Sequence, residues 1–284
     1  MELNKIKKII LIFSITGISI SIVLLYFQSN ANENPSDIIE IPISDSLFMI
    51  YAPSSKFSVD PTSKTIKYEA AEFELKSELS EIYEEIGFLN QKANAVVIYP
   101  TFTESAYSKN GFYDYYTSTC DESCLTVTIQ DDFEGEYSSS RAAHRVLELL
   151  GYDSLTDIDV DENPEILKNY DKIILLHNEY VTKSMFAAIT SHPKVIYLYP
   201  NALYAEIKVD YNEKTISLVK GHGFPEKEIG NGFEWVYDNT RPFEFDNQCK
   251  NWDFNEIPNG FMLNCYPEYV IFKDQKLLEA IKMK

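Results

Sequence analysis

Three short stretches of this chain have an unbroken apolar centre: Ala95 to Tyr99, Lys172 to His177 and Lys194 to Tyr199. A strand with one wet face alternates apolar and polar residues, so runs like these require cover on both faces. Helical periods lie between them. From Arg141 to Leu150, residues Ala143, Val146, Leu147 and Leu150 share one face, with serines 138–140 as N-caps and Gly151 as the stop. Asn163-Pro164 opens a short helix to Tyr170, and another falls near Thr182–Thr190. Strands and helices alternating at these lengths predict parallel βαβ units, hence an α/β fold with a doubly wound, mostly parallel sheet.

The flanks are less regular. Ile38 to Ile43 and Leu47 to Ala52 read as strands. A helix is expected from Tyr68, where Leu75, Leu79, Ile82 and Ile86 recur and Gly87 caps. Leu125 to Ile129 reads as a half-buried strand, Asp157 to Val160 as a brief one, and Tyr204 to Val219 as a hairpin. Residues 221–267 are loop-rich. The expected organisation is one domain over 38–284, with a core at 93–206 and an irregular C-terminal cap at 207–284.

Ile9 to Phe27 is free of charge for nineteen residues, close to the length needed to span a ~30 Å hydrocarbon core. Lys5, Lys7 and Lys8 precede it and no Lys or Arg follows until Lys56, so a cytoplasmic N-terminus, a single transmembrane helix, a linker at 28–37 and an extracytoplasmic domain are expected. The alternative is a cleaved signal peptide ending near Ser29-Asn30-Ala31. The net charge is −19, and residues 31–284 alone carry −21, which excludes nucleic acid as a partner. Four cysteines, Cys120, Cys124, Cys249 and Cys265, form two near-neighbour pairs. Two local disulfides are expected, free thiols or zinc being the alternatives.

Several motifs fail on inspection. Asp157-Ile-Asp159-Val-Asp161 imitates the start of a calcium loop, but Glu162 stands where glycine is needed. No G-x-S-x-G, G-x-G-x-x-G or H-E-x-x-H occurs. His144 and His192 read as surface residues; His222, between Gly221 and Gly223, is flexible enough to reach a ligand. In an open α/β sheet, ligands bind beyond the carboxyl ends of the strands, where strand order reverses. The three apolar strands deliver Tyr107, then His177 and Glu179, then Asn201 to that edge.

Val97-Ile-Tyr-Pro100-Thr-Phe-Thr103-Glu-Ser-Ala106-Tyr107 followed by Gly111-Phe-Tyr113 resembles the T-x-x-A-Y-N and G-x-S-L-Y segments of the N,N-dimethylformamidase large-subunit family. Leu147-Glu-Leu-Leu-Gly151-Tyr152-Asp153, Leu176-His177-Asn178-Glu179-Tyr180 and Tyr199-Pro-Asn201 are similar to further segments in the same order, over residues 93–206. The resemblance implies a class I glutamine amidotransferase-like fold and a mononuclear iron that activates water for amide hydrolysis. It implies Tyr107 and Glu179 as metal ligands, with His177 and Asn201 as catalytic groups beside the metal. The family's second tyrosine ligand has no direct counterpart; Tyr137 is the nearest. Two functions are therefore expected to compete. One is a divergent, non-catalytic module that binds a small ligand or an envelope partner. The other is a metal-dependent amide hydrolase.

Overall fold

The computed structural model describes residues 38–59, 61, 66–68, 71–130 and 140–284. The apolar run at 9–27, the linker at 28–37 and Tyr137 lie outside them. Among the described residues no helix is long and apolar enough to cross a membrane.

The described chain begins with β1 (Ile38–Glu40) and β2 (Phe48–Pro53), then the paired β3 (Phe57–Val59) and β4 (Ile66–Tyr68), then β5 (Glu72–Leu75). β1, β2 and β5 form an antiparallel sheet. The helix expected from Tyr68 is thus cut back to α1 (Ser80–Ile86). The reason is alternation: Phe73 is buried between Glu72 and Glu74, and pairs with the buried Ile50 of β2. A period of two, satisfied by a partner strand, overrides a helical stripe.

The centre follows: β6 (Ala95–Tyr99), α2 (Thr101–Ala106), α3 (Phe112–Tyr116), β7 (Thr126–Thr128), α4 (Arg141–Leu149), β8 (Asp153–Thr156), α5 (Asp157–Glu162) and β9 (Lys172–Leu175). Then come β10 (Tyr180–Thr182), α6 (Lys183–Ser191), β11 (Val195–Tyr197), β12 (Ala205–Asp210) and β13 (Thr215–Lys220). The chain closes with α7 (Thr240–Phe243), β14 (Phe254–Ile257), β15 (Gly260–Leu263) and α8 (Gln275–Met283). The main sheet has the order β14-β15-β11-β9-β6-β8, parallel except at the β14 edge. A four-stranded sheet, β10-β12-β13-β7, packs on one side of it.

The unbroken apolar runs do what their pattern requires. Ala95, Val97, Ile174 and Ile196 face a core shared with α1, α4, α8 and the N-terminal sheet. Their neighbours Val96, Ile98, Ile173, Leu175, Val195 and Tyr197 face a second core shared with α2, α5, α6 and the four-stranded sheet. α4, on the path from β6 to β8, and α6, between β9 and β11, lie on opposite faces. β6 and β9 are parallel neighbours, so strand order reverses between them.

Three local expectations need correction. Asp157 to Val160 is helix, because Thr156 and Asp159 form a reciprocal capping box: Asp159 N–H donates to Thr156 Oγ1 (3.2 Å) and Thr156 N–H to Asp159 Oδ2 (2.7 Å). Ser140 does not cap α4 with its side chain. The Glu268 carboxylate does so from across the fold, accepting from Ser140 N–H (2.9 Å) and Ala142 N–H (2.8 Å). Nor is all of residues 207–284 an irregular cap. β15 pairs in parallel with β11, β14 forms the sheet edge, and α8 packs beside α1. Buried Lys172, at the start of β9, donates to the last carbonyls of α8 at Ile281 (2.8 Å) and Lys282 (2.7 Å). Both expected disulfides, Cys120–Cys124 and Cys249–Cys265, are formed.

Candidate active site

The segment after β9 has little freedom. His177 N–H donates to Ser140 Oγ (2.9 Å), while Glu179 N–H and Tyr180 N–H both reach Thr103 Oγ1 (3.0 and 3.2 Å). Asn178 is wholly buried: its Oδ1 accepts from Leu176 N–H (2.9 Å) and its Nδ2 donates to Asp157 Oδ1 (2.6 Å). Asp157 also accepts from Phe102 N–H (2.9 Å), so one carboxyl ties the start of α2 to the loop after β9. Burial raises that carboxyl to about 8, although both hydrogen bonds pull the other way. The first aspartate of the failed calcium pattern is therefore an internal brace.

This scaffold holds Glu179 with its side chain fully buried. Tyr107, at the end of α2, donates its hydroxyl to Glu179 Oε2 at 2.8 Å. His177 Nε2 lies 3.4 Å from the same oxygen. His222 Nε2 contacts the other oxygen, Oε1. Burial pushes the His222 imidazole down to about 3, which favours the neutral ring. Asn201, just beyond β11, is buried and accepts from the Tyr266 hydroxyl at 3.1 Å. The Tyr266 ring meets the His177 ring edge-on at 5.6 Å. Tyr107, His177 and Glu179 are thus brought together at the carboxyl ends of β6 and β9, while Asn201, beyond β11, is joined to them only through Tyr266.

Aromatic rings wall the cluster. Tyr113 stacks on Tyr107 (5.5 Å, 22°), and Tyr199 stacks on His177 (5.5 Å, 11°). Tyr116, Tyr204 and Tyr180 surround the His222 ring at 4.6, 4.3 and 5.6 Å. Tyr199 donates to Glu268 Oε2 (2.5 Å), so the α4 cap also steadies the ring behind His177. Burial lifts the Glu268 carboxyl to about 6, against the pull of Tyr199 and the α4 N–H groups. The Tyr266 phenol is raised above its usual range by burial and by the charges of Glu179 and Glu244.

His222 joins the cluster on a weak sequence signal. Its signal was the pair of flanking glycines, which permit the left-handed turn it adopts (φ 52°). Tyr116, Tyr266 and Glu268 carried no sequence signal. The two histidines read as surface residues are buried. His144 Nε2 bonds Ser154 Oγ at 2.7 Å, and His192 is held by the carbonyls of Tyr170 (3.0 Å) and Lys194 (3.1 Å).

The donor set suits a hard cation only in part. Among the described residues no group of three or more His, Cys, Asp and Glu side chains is arranged to hold a metal ion. An ion at Glu179 therefore needs the Tyr107 phenol, which stands in place. A second phenol on Glu179 does not appear among the described hydrogen bonds, since Tyr266 is committed to Asn201. The Tyr116 hydroxyl, whose ring lies against His222, is buried without a hydrogen-bond partner, a costly state unless a polar atom joins it. Compared with protein-family models and with curated proteins, the chain matches none.

Proposed function

We propose that this chain is a cation-dependent hydrolase of carbon–nitrogen bonds in small amides. The observation that carries this reading is the convergence of the Tyr107 phenol and the His177 and His222 imidazoles on one wholly buried carboxylate. Burying a carboxylate is costly, and setting a phenol and two imidazoles around it beside a sheet switch point is an arrangement typical of reaction sites. Trivalent iron is the ion that the resemblance to the dimethylformamidase large subunit implies, with Tyr107 and Glu179 to hold it. When bound, such an ion polarises an amide carbonyl or acidifies a water.

The chain's own residues supply the rest. His177, fixed from behind by Tyr199 and through its N–H by Ser140, can take a proton from water at Nε2 and return it to the departing amine. Asn201 has its oxygen committed to Tyr266, which leaves its NH2 group to donate to the substrate. The tyrosine rings around His177 and His222 would favour a small substrate with apolar substituents.

A second reading is favoured by a specific observation. The Tyr107 phenol and the His222 imidazole already engage both oxygens of Glu179, so the site can stand as a hydrogen-bonded cluster without an ion. On that reading the domain binds a small ligand or an envelope partner without catalysis. Both readings place the domain outside the cytoplasm on the anchor at 9–27, and protease added to intact cells should then digest it.

Metal analysis of the purified full chain, paired with an assay for amine release from dimethylformamide and other small amides, tests the proposal. One bound ion per chain and release that is lost in Glu179→Gln is the expected result. Metal-free protein that releases no amine would leave the binding module.

A further inference from the structure

We infer that His222 is a ligand of the ion, completing a set of one phenolate, one carboxylate and one imidazole from Tyr107, Glu179 and His222. Such a set selects a divalent first-row transition ion over trivalent iron. This rests on the reading that an ion is held at Glu179 and Tyr107, and it departs from the two-tyrosine set that the resemblance implies.

Position is the first argument. Tyr107 occupies one oxygen of Glu179 and His222 Nε2 lies against the other, so a phenol and an imidazole flank the same buried carboxylate. Two nearby phenols are engaged elsewhere, Tyr266 donating to Asn201 and Tyr199 to Glu268. Chemistry is the second. Replacing an anionic phenolate by a neutral imidazole lowers the charge and hardness of the site, and mixed oxygen and imidazole donors suit zinc, iron(II) and their neighbours.

The third argument is the loop. His222 holds a left-handed backbone between Gly221 (φ 134°) and Gly223 (φ 77°), an unfavourable conformation for a residue with a β-carbon. Two hydrogen bonds fix it there, from His222 N–H to Gly230 O (2.8 Å) and from Gly223 N–H to Ile229 O (2.6 Å). Three tyrosine rings set the plane of the imidazole. Finally, the partnerless Tyr116 hydroxyl is beside this ring, where a water carried by the ion would satisfy it.

The test uses the full chain in detergent, stripped of metal and titrated with cobalt(II) alone, followed by its visible d–d bands. One equivalent should bind. Affinity should fall about a hundredfold or more in His222→Gln and in Tyr107→Phe, and change less than about threefold in His177→Gln. Copper(II) bound to the unmutated chain should show one imidazole nitrogen by pulsed electron paramagnetic resonance, a readout that needs no variant to fold. No coupled imidazole would overturn the assignment, as would equal losses in His177→Gln and His222→Gln. Iron(III) binding with a tyrosinate band of undiminished intensity in His222→Gln would also overturn it, while leaving the hydrolase reading intact. Failure of the unmutated chain to bind either cobalt(II) or iron(III) would sink both.

Discussion

Two loops meet at Glu179, and they are built on opposite plans. The loop after β9, residues 176–180, is buried and braced through its backbone by Thr103 and Ser140 and through the Asn178 side chain by Asp157. The loop carrying His222 uses an unfavourable backbone, two glycines and a wall of rings. The first is part of the core, so its integrity and the stability of the domain are one property. The second is an attachment, and its failure should cost the site more than the fold. A buried constellation is commonly set on rigid elements while mobile elements complete it.

The strongest challenge to that contrast is Asp157→Ala. It leaves the buried Phe102 N–H and the Asn178 amide without their acceptor, and should destabilise the domain by about 3 kcal/mol or more in urea unfolding. A loss below about 1 kcal/mol would mean that the loop after β9 is not braced as described.

The next effect is on pH dependence, and the two kinds of buried group have opposite signs. Glu268 is raised to about 6, so its contribution is present below the unfolded value near 4.5 and is lost as pH rises through about 6. Glu268→Gln should remove that loss. His144 is lowered to about 3 by burial and by the nearby Arg145, so its contribution is present above about 6.5 and is lost as pH falls toward 3. His144→Gln should flatten that limb. Urea midpoints between pH 3.5 and 7.5 check both, and curves parallel to the unmutated one would refute them.

The smallest effect is expected at the attachment. His222→Gly relieves a left-handed residue while losing ring contacts, so stability should stay within about 1 kcal/mol by thermal unfolding. A larger loss would put the His222 loop in the same structural class as the loop after β9.

The same contrast explains what could be read from sequence. Tyr107, His177, Glu179 and Asn201 each follow an apolar strand or the helix after it, and strand order leaves such residues few places to go. The strand expected at 157–160 took no account of the capping box that Thr156 and Asp159 form. The β5 strand needed Ile50 as a partner before Phe73 could declare its face. His222, Tyr266 and Glu268 reach the site from 43 to 89 residues beyond Glu179, along a path no local pattern encodes. Glu268 capping α4 is the extreme case, because a cap supplied from the far end of the chain has no signature at the helix it serves.

The position of β15 has a consequence for the order in which this molecule can be made. β11 pairs on one side with β9, which precedes it, and on the other with a strand that begins 63 residues after β11 ends. As the chain emerges from the ribosome, β11 therefore has one open, wholly apolar edge until residue 263 is available. α8, which receives Lys172 at its final carbonyls, comes later still. Such an edge is a template for pairing with another nascent chain. A holding factor would serve this protein more during its last stretch of synthesis than during the first.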